Sequence, residues 1–103
     1  MYKVEFSTKY LLDVAIVLEY IAAVLCNPIA ADKLRNAIND KIQAIKTFPE
    51  GFPEFDTEGK TKLVYRKVRV KNYYILYHFD SKENKIIFSR FVYCKMDLLN
   101  IDF

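Results

Sequence analysis

Six cations, Lys60, Lys62, Arg66, Lys67, Arg69 and Lys71, stand in a 12-residue run that contains no acid. Such a run can hold a phosphate backbone or an acidic protein segment, and it can equally be the solvated face of a charged strand. Strand alternation divides it. Arg66 shares parity with Val64, Val68 and Val70, which reads as a buried or edge arginine pairing an internal acid. Lys67 and Arg69 share parity with Tyr65 and form the face expected to touch RNA or a partner. Lys60, Lys62, Tyr65, Arg66, Lys71 and Tyr74 are accordingly the candidate RNA- or partner-binding residues. Tyr73, Tyr74, Tyr77 and Tyr93 have the chemistry to stack bases, although such residues more often form sheet core. His78 is the one histidine, with an ordinary pKa near neutrality. It falls mid-strand between Tyr77 and Phe79 with no second His or Cys at useful spacing, so a structural or surface role is expected. Cys26 and Cys94 lack a C-x-x-C spacing and, with one histidine, offer no metal cluster. No metal, cofactor or structural disulfide is expected.

The elements that must carry these residues are readable in outline. Tyr2 to Phe6 alternates apolar and polar as a half-buried strand does, and Ser7 or Thr8 offers an oxygen to cap a following helix. From about Lys9 to Leu25 the chain is apolar around most of a helix. Leu11, Ala15, Leu18, Ala22 and Leu25 form one stripe, and Val14, Val17, Ile21 and Val24 form another. One stripe can face the domain's own sheet; the second, Val14, Val17, Ile21 and Val24, is the candidate docking surface for a partner or for self-association. Asn27-Pro28 ends this helix and caps the next, which runs amphipathically to about Thr47. Residues 48–56 hold two prolines, a glycine and three phenylalanines and read as a loop with buried anchors. Leu63–Val70, Tyr73–Phe79 and Ile86–Tyr93 are β-branched and aromatic, with turns at 71–72 and 80–85, so they form an antiparallel meander. The expected fold is α+β, in the order β-α-α-β-β-β, an antiparallel sheet with a two-helix hairpin on one face.

A chain of 103 residues supports one hydrophobic core, so a single domain spanning 1–103 is expected. The opening residues do not read as a signal peptide. The apolar stretch Tyr10–Leu25 carries Asp13 and Glu19 and falls short of the roughly 20 residues of a bilayer span. A cytoplasmic protein without a membrane partner is therefore expected. Charge is uneven: residues 1–59 hold 6 Lys/Arg against 9 Asp/Glu, and residues 60–103 hold 10 against 4, so the net +3 comes from a basic second half.

Five strings in this order resemble the RelE/ParE superfamily, toxins of bacterial type II toxin–antitoxin pairs often described as plasmid stabilisation proteins. They are Tyr2–Phe6 before a helix; Tyr20-Ile21-Ala22 leading into Asn27-Pro28-Ile29-Ala30-Ala31; Phe48-Pro49 with Pro53; Arg66 to Tyr77; and Ser89 to Asp97. The fourth is similar to the family's Arg-x-x-x-Val-Gly-Asn-Tyr-Arg-x-x-Tyr hairpin, with Lys71 and Tyr74 in place of its glycine and second arginine. The fifth looks like the family's closing Arg-Val-Leu-His-x-Arg-Arg-Asp strand. The resemblance spans about residues 2–97.

What the resemblance implies is a growth-inhibiting toxin neutralised by a cognate antitoxin. The RelE-like branch cleaves messenger RNA on the ribosome, while the ParE-like branch poisons DNA gyrase without a nuclease centre. RNA cleavage needs a general base, a general acid and positive charge at the phosphate. Of the RelE-like set, carried over by position, the chain keeps Lys67. Arg69, Arg90 and Lys95 complete the candidate catalytic group of a metal-independent messenger-RNA interferase. Tyr65 and Tyr74 stand where that branch has a lysine and an arginine, and Leu98–Phe103 provides no counterpart to its final tyrosine. The leading expectation is a ParE-like toxin. The alternatives are a ribosome-dependent endoribonuclease and a degenerate, non-toxic antitoxin-binding member. A homodimer stays open.

Overall fold

The computed structural model describes residues 2–103. The strand β1 (Lys3–Phe6) leads directly into the helix α1 (Thr8–Glu19), which widens into a π-helical turn at Tyr20–Val24. Then come α2 (Pro28–Thr47), a two-residue strand β2 (Glu54–Phe55), β3 (Tyr65–Val70), β4 (Tyr73–Asp80), β5 (Lys85–Tyr93) and a 3-10 turn at Leu98–Asn100. Ser7, not Thr8, caps α1: its Oγ accepts from the Tyr10 amide at 3.0 Å and donates to the Ser89 carbonyl at 2.8 Å. One hydroxyl thus starts the helix and ties it to the sheet, a contact of the kind that contributes about 1 kcal/mol. Asn27 caps α2 from Oδ1 to the Ala30 amide at 3.1 Å, with Pro28 in the first turn.

The meander β3-β4-β5 is antiparallel, and the two helices lie on one face of the sheet. Two features refine the expected sheet. The first strand joins at the far edge, parallel to β5, so the sheet is mixed, in the order β1-β5-β4-β3-β2. No hairpin links β1 to its neighbour; the chain leaves through the helices, and a crossover of that kind is how strands become parallel. Within the expected 48–56 loop, Glu54 and Phe55 pair with Arg66 and Tyr65 as a short edge strand. Of the three phenylalanines, Phe52 and Phe55 are half-buried, whereas Phe48 is exposed and is not an anchor.

A register shift between Leu76 and Tyr77 leaves Ser89 unpaired on β5. The extra residue changes the parity of the strand. Phe88 and Phe91 consequently both face the helices, in a core with Tyr10, Leu34, Ile38, Ile45, Val68, Ile75 and Tyr77. The opposite face carries a smaller cluster in which Leu76 and Val92 are covered by Ile101, with Phe55, Tyr74, Leu98 and Phe103 around them. The sheet is covered by helices on one side and, over part of the other, by the segment after β5.

Candidate functional site

The basic run divides between the two faces. On the face opposite the helices, Lys67 and Arg69 flank the Tyr74 ring, with Lys67 Nζ 5.2 Å and the Arg69 guanidinium carbon 5.6 Å from its centroid. Arg69 lies directly across from Tyr74 in the β3-β4 ladder, and its Nε donates to the Lys71 carbonyl. Two cations held over one aromatic ring form a fixed positive patch that can take a phosphate or a carboxylate. Lys60 and Lys62 lie exposed in the loop before β3, and Lys71 is exposed at the hairpin tip.

Arg66 points the other way. Its Nη1 donates to the Phe52 carbonyl at 2.7 Å and the Glu50 carbonyl at 3.2 Å, so the partner expected to be an internal acid is a pair of loop carbonyls. A guanidinium serves this purpose because Nη1 alone carries two N–H donors, one for each carbonyl. The work of Arg66 is to pin the α2-β2 connection. Tyr65 is buried and stacked on Phe103, with ring centroids 4.1 Å apart, so it offers no free face for a base. Tyr73 stacks on Phe91 at 5.0 Å on the helix side, and Tyr77 is fully buried. His78 Nδ1 lies 3.0 Å from the Val64 carbonyl.

Arg90 stands on the same sheet face as Lys67, across Leu76 from it, but its guanidinium is taken up by other partners, and Lys95 lies beyond the strand. The Arg90 guanidinium is held by Asp13 of α1 through Nε to Oδ2 at 2.7 Å and Nη2 to Oδ1 at 3.0 Å, and Nη1 donates to the Asp102 carbonyl. The hydrogen bond to Asp13 raises the pKa of Arg90 against the opposing cost of desolvation, and the Asp13 and Asp102 charges add to the rise. Asp13 also accepts from the Phe91 amide at 3.0 Å, satisfying the edge of β5 beyond the reach of β1. Lys95 is exposed in the turn after β5. Asp13 was visible in the sequence as the only acid between Lys9 and Leu18; an acid isolated in an apolar helix was the signal for a buried partner.

The helical hairpin also sorts its apolar residues. Val14, Val17 and Ile21 pack on the domain's own core, while Val24 is exposed. Leu11, Ala15, Leu18 and Ala22 line a groove of about 560 Å³ between α1 and α2, with Ile38 and Ile42 on its other wall. A third row runs along the outside as Leu12, Ile16, Tyr20 and Val24, each more than half exposed, and of these only Val24 belonged to an expected stripe. Its four-residue steps make it a continuous ridge.

Sequence and fold comparisons give this arrangement a family. The model of the ParE toxin of the type II toxin–antitoxin system parDE matches residues 4–98. The chain belongs to this ParE toxin family. No curated protein sequence matches. Among solved structures, a chain of the chromosomal ParDE toxin–antitoxin system from P. aeruginosa superposes with a TM-score of 0.71 at 13% identity, covering 92% of this chain and 98% of that one. A chain of the archaeal RelE–RelB complex from Pyrococcus horikoshii OT3 gives 0.61 at 13% identity, over 93% and 98%. A metal-bound toxin from Helicobacter pylori gives 0.62 at 14%, over 90% and 94%. At these identities the superpositions establish the ParE/RelE fold. No helix among the described residues is long and apolar enough to cross a membrane.

Proposed function

We propose that the chain is the toxin of a type II pair, that it arrests growth by the ParE-like, gyrase-directed route, and that an antitoxin covers its helical hairpin and basic sheet. Family membership and the fold support the toxin role. The observation that carries the choice of route is the engagement of Arg90. Its guanidinium is bound by Asp13 and by the Asp102 carbonyl, which leaves Lys67 and Arg69 as the cations gathered on the open sheet face. Two cations over a tyrosine can bind an anion. Arg69 stays protonated, so of the two only Lys67 can transfer a proton, where 2′-hydroxyl attack requires both an acid and a base.

The RelE-like reading keeps one specific support, the Lys67-Tyr74-Arg69 patch, which has the charge to hold a messenger-RNA phosphate. Induction of the chain without antitoxin, with labelled thymidine and labelled amino acid followed over the first minutes, separates the two. Thymidine incorporation is expected to fall first. An earlier fall in amino-acid incorporation overturns the gyrase-directed reading in favour of translation, and unchanged growth identifies a disarmed member.

A further inference from the structure

The segment after β5 is not a loose end. Ile101 is 6% exposed against Leu76 and Val92, and Phe103 stacks on Tyr65. Asp97 builds the turn that aims these residues, its Oδ1 accepting from the Leu99 amide at 3.0 Å and its Oδ2 from the Asn100 side chain at 2.9 Å. The segment lies over the sheet face that carries Lys67, Arg69 and Tyr74. It covers the apolar half of that face and leaves the cationic half open.

What holds it there includes a helix from the other side of the molecule. Two of the three guanidinium nitrogens of Arg90 are fixed by Asp13, and the third, Nη1, meets the Asp102 carbonyl. Lys9, one turn before Asp13 on α1, meets the Asp102 carboxylate at 3.1 Å. The Lys9 contact is exposed and contributes little alone. The Arg90-Asp13 pair is mostly buried, with side-chain exposures of 21% and 17%, so its geometry is fixed. Asp13 therefore acts as a positioning residue: without its two oxygens the guanidinium has no reason to present Nη1 to residue 102.

We propose that residues 97–103 form a strap over the second sheet face, and that α1 latches it shut through Asp13, Arg90 and Lys9. Opening the strap uncovers Tyr65, Leu76 and Val92 beside Lys67 and Arg69, converting a cationic edge into a wider apolar-cationic surface. The latch places control of that surface in the same helix that carries the exposed Leu12-Ile16-Tyr20-Val24 ridge. This inference concerns the chain's own contacts and stands whichever target the toxin has.

The test compares the full chain with Asp13→Asn and with Ile101→Ser by NMR. In the parent and in Asp13→Asn the strap is read from the cross-peaks of Phe103 with Tyr65 and of Ile101 with Leu76; in Ile101→Ser it is read from Phe103 with Tyr65 alone. The Tyr77-Phe88 contact, with ring centroids 6.1 Å apart in the helix-side core, is the internal control. Asp13→Asn keeps an acceptor for the Phe91 amide but weakens the hold on Arg90. The strap cross-peaks are expected to lose at least about half their intensity while the control stays, because local opening is separable from global unfolding. Ile101→Ser opens the strap from the sheet side and should give the same Phe103-Tyr65 loss with Arg90 still paired. Full strap cross-peaks in Asp13→Asn overturn the latch. So does loss of strap and control peaks together in Asp13→Asn, since the ion pair is then a contact of the whole fold.

Discussion

Lys71 adopts a left-handed backbone, with φ of 51°, at the tip of the β3-β4 hairpin. The resembling hairpin string of the superfamily carries glycine at this place, and the angle supplies the reason: a side chain here has a steric cost that glycine avoids. Lys71→Gly is expected to raise stability by about 0.5–1 kcal/mol, read as a higher urea midpoint at unchanged slope. No gain would mean that the greater unfolded-state entropy of glycine offsets the strain relieved. The same residue scale decides the nuclease question. Replacing Lys67 and Arg69 together with Ala strips both cations from Tyr74. The nuclease reading predicts loss of growth arrest with antitoxin binding largely preserved. The gyrase-directed reading predicts that arrest persists, and persistence in a growth assay makes a nuclease centre on these residues untenable.

At the scale of elements, the apolar surface left open on the helical hairpin is the outer ridge of α1 and the groove beside it, because Val14, Val17 and Ile21 are occupied by the core, and the proposed antitoxin would dock there. Ile16 is 66% exposed and central to the ridge. Ile16→Asp should leave the urea midpoint within about 0.5 kcal/mol, as exposed substitutions do. Loss of an apolar anchor and burial of a charge should weaken antitoxin binding by about tenfold or more in a titration. Asn36→Asp, an exposed change on α2, is the control and should bind normally. Unchanged binding in Ile16→Asp would move the docking surface off the ridge.

The meander and both caps were legible because alternation, β-branching and Asn-Pro are local signals, and Ser7 and Asn27 stand where such signals put them. The helix periodicity offered two stripes and passed over the third, and only the position of the sheet determined which one is buried. The parallel place of β1 beside β5 and the extra residue at Ser89 were not legible, since each depends on pairing across the whole chain. Nor was the strap, for Leu98 to Phe103 has no period, and its cover value exists only against Leu76 and Val92.

Across the whole molecule, the connection from α2 back to the sheet is tied down from beneath. Tyr77, fully buried, donates its hydroxyl to the Pro49 carbonyl at 2.5 Å. Arg66 holds the carbonyls of Glu50 and Phe52, and the Lys67 amide donates to the Pro53 carbonyl at 3.1 Å. Burial pushes the Tyr77 phenol up from 10 to about 12, against a smaller lowering by Arg66. Burial also raises Tyr10, whose hydroxyl has no hydrogen-bond partner among the described residues. For an acid whose pKa is higher folded than unfolded, the protonated form is the one the fold favours. The stability it contributes is complete below pH 10 and is lost as pH rises from 10 toward 12. Tyr77→Phe keeps the ring and removes the titrating group. At neutral pH it should cost about 1 kcal/mol for the lost hydrogen bond to Pro49. Between pH 10 and 12 its urea midpoint should fall less steeply than that of the parent chain, leaving the part that Tyr10 contributes. Parallel pH curves for the two proteins would show that Tyr77 does not ionise ahead of unfolding, and that the alkaline limit of this fold is set elsewhere.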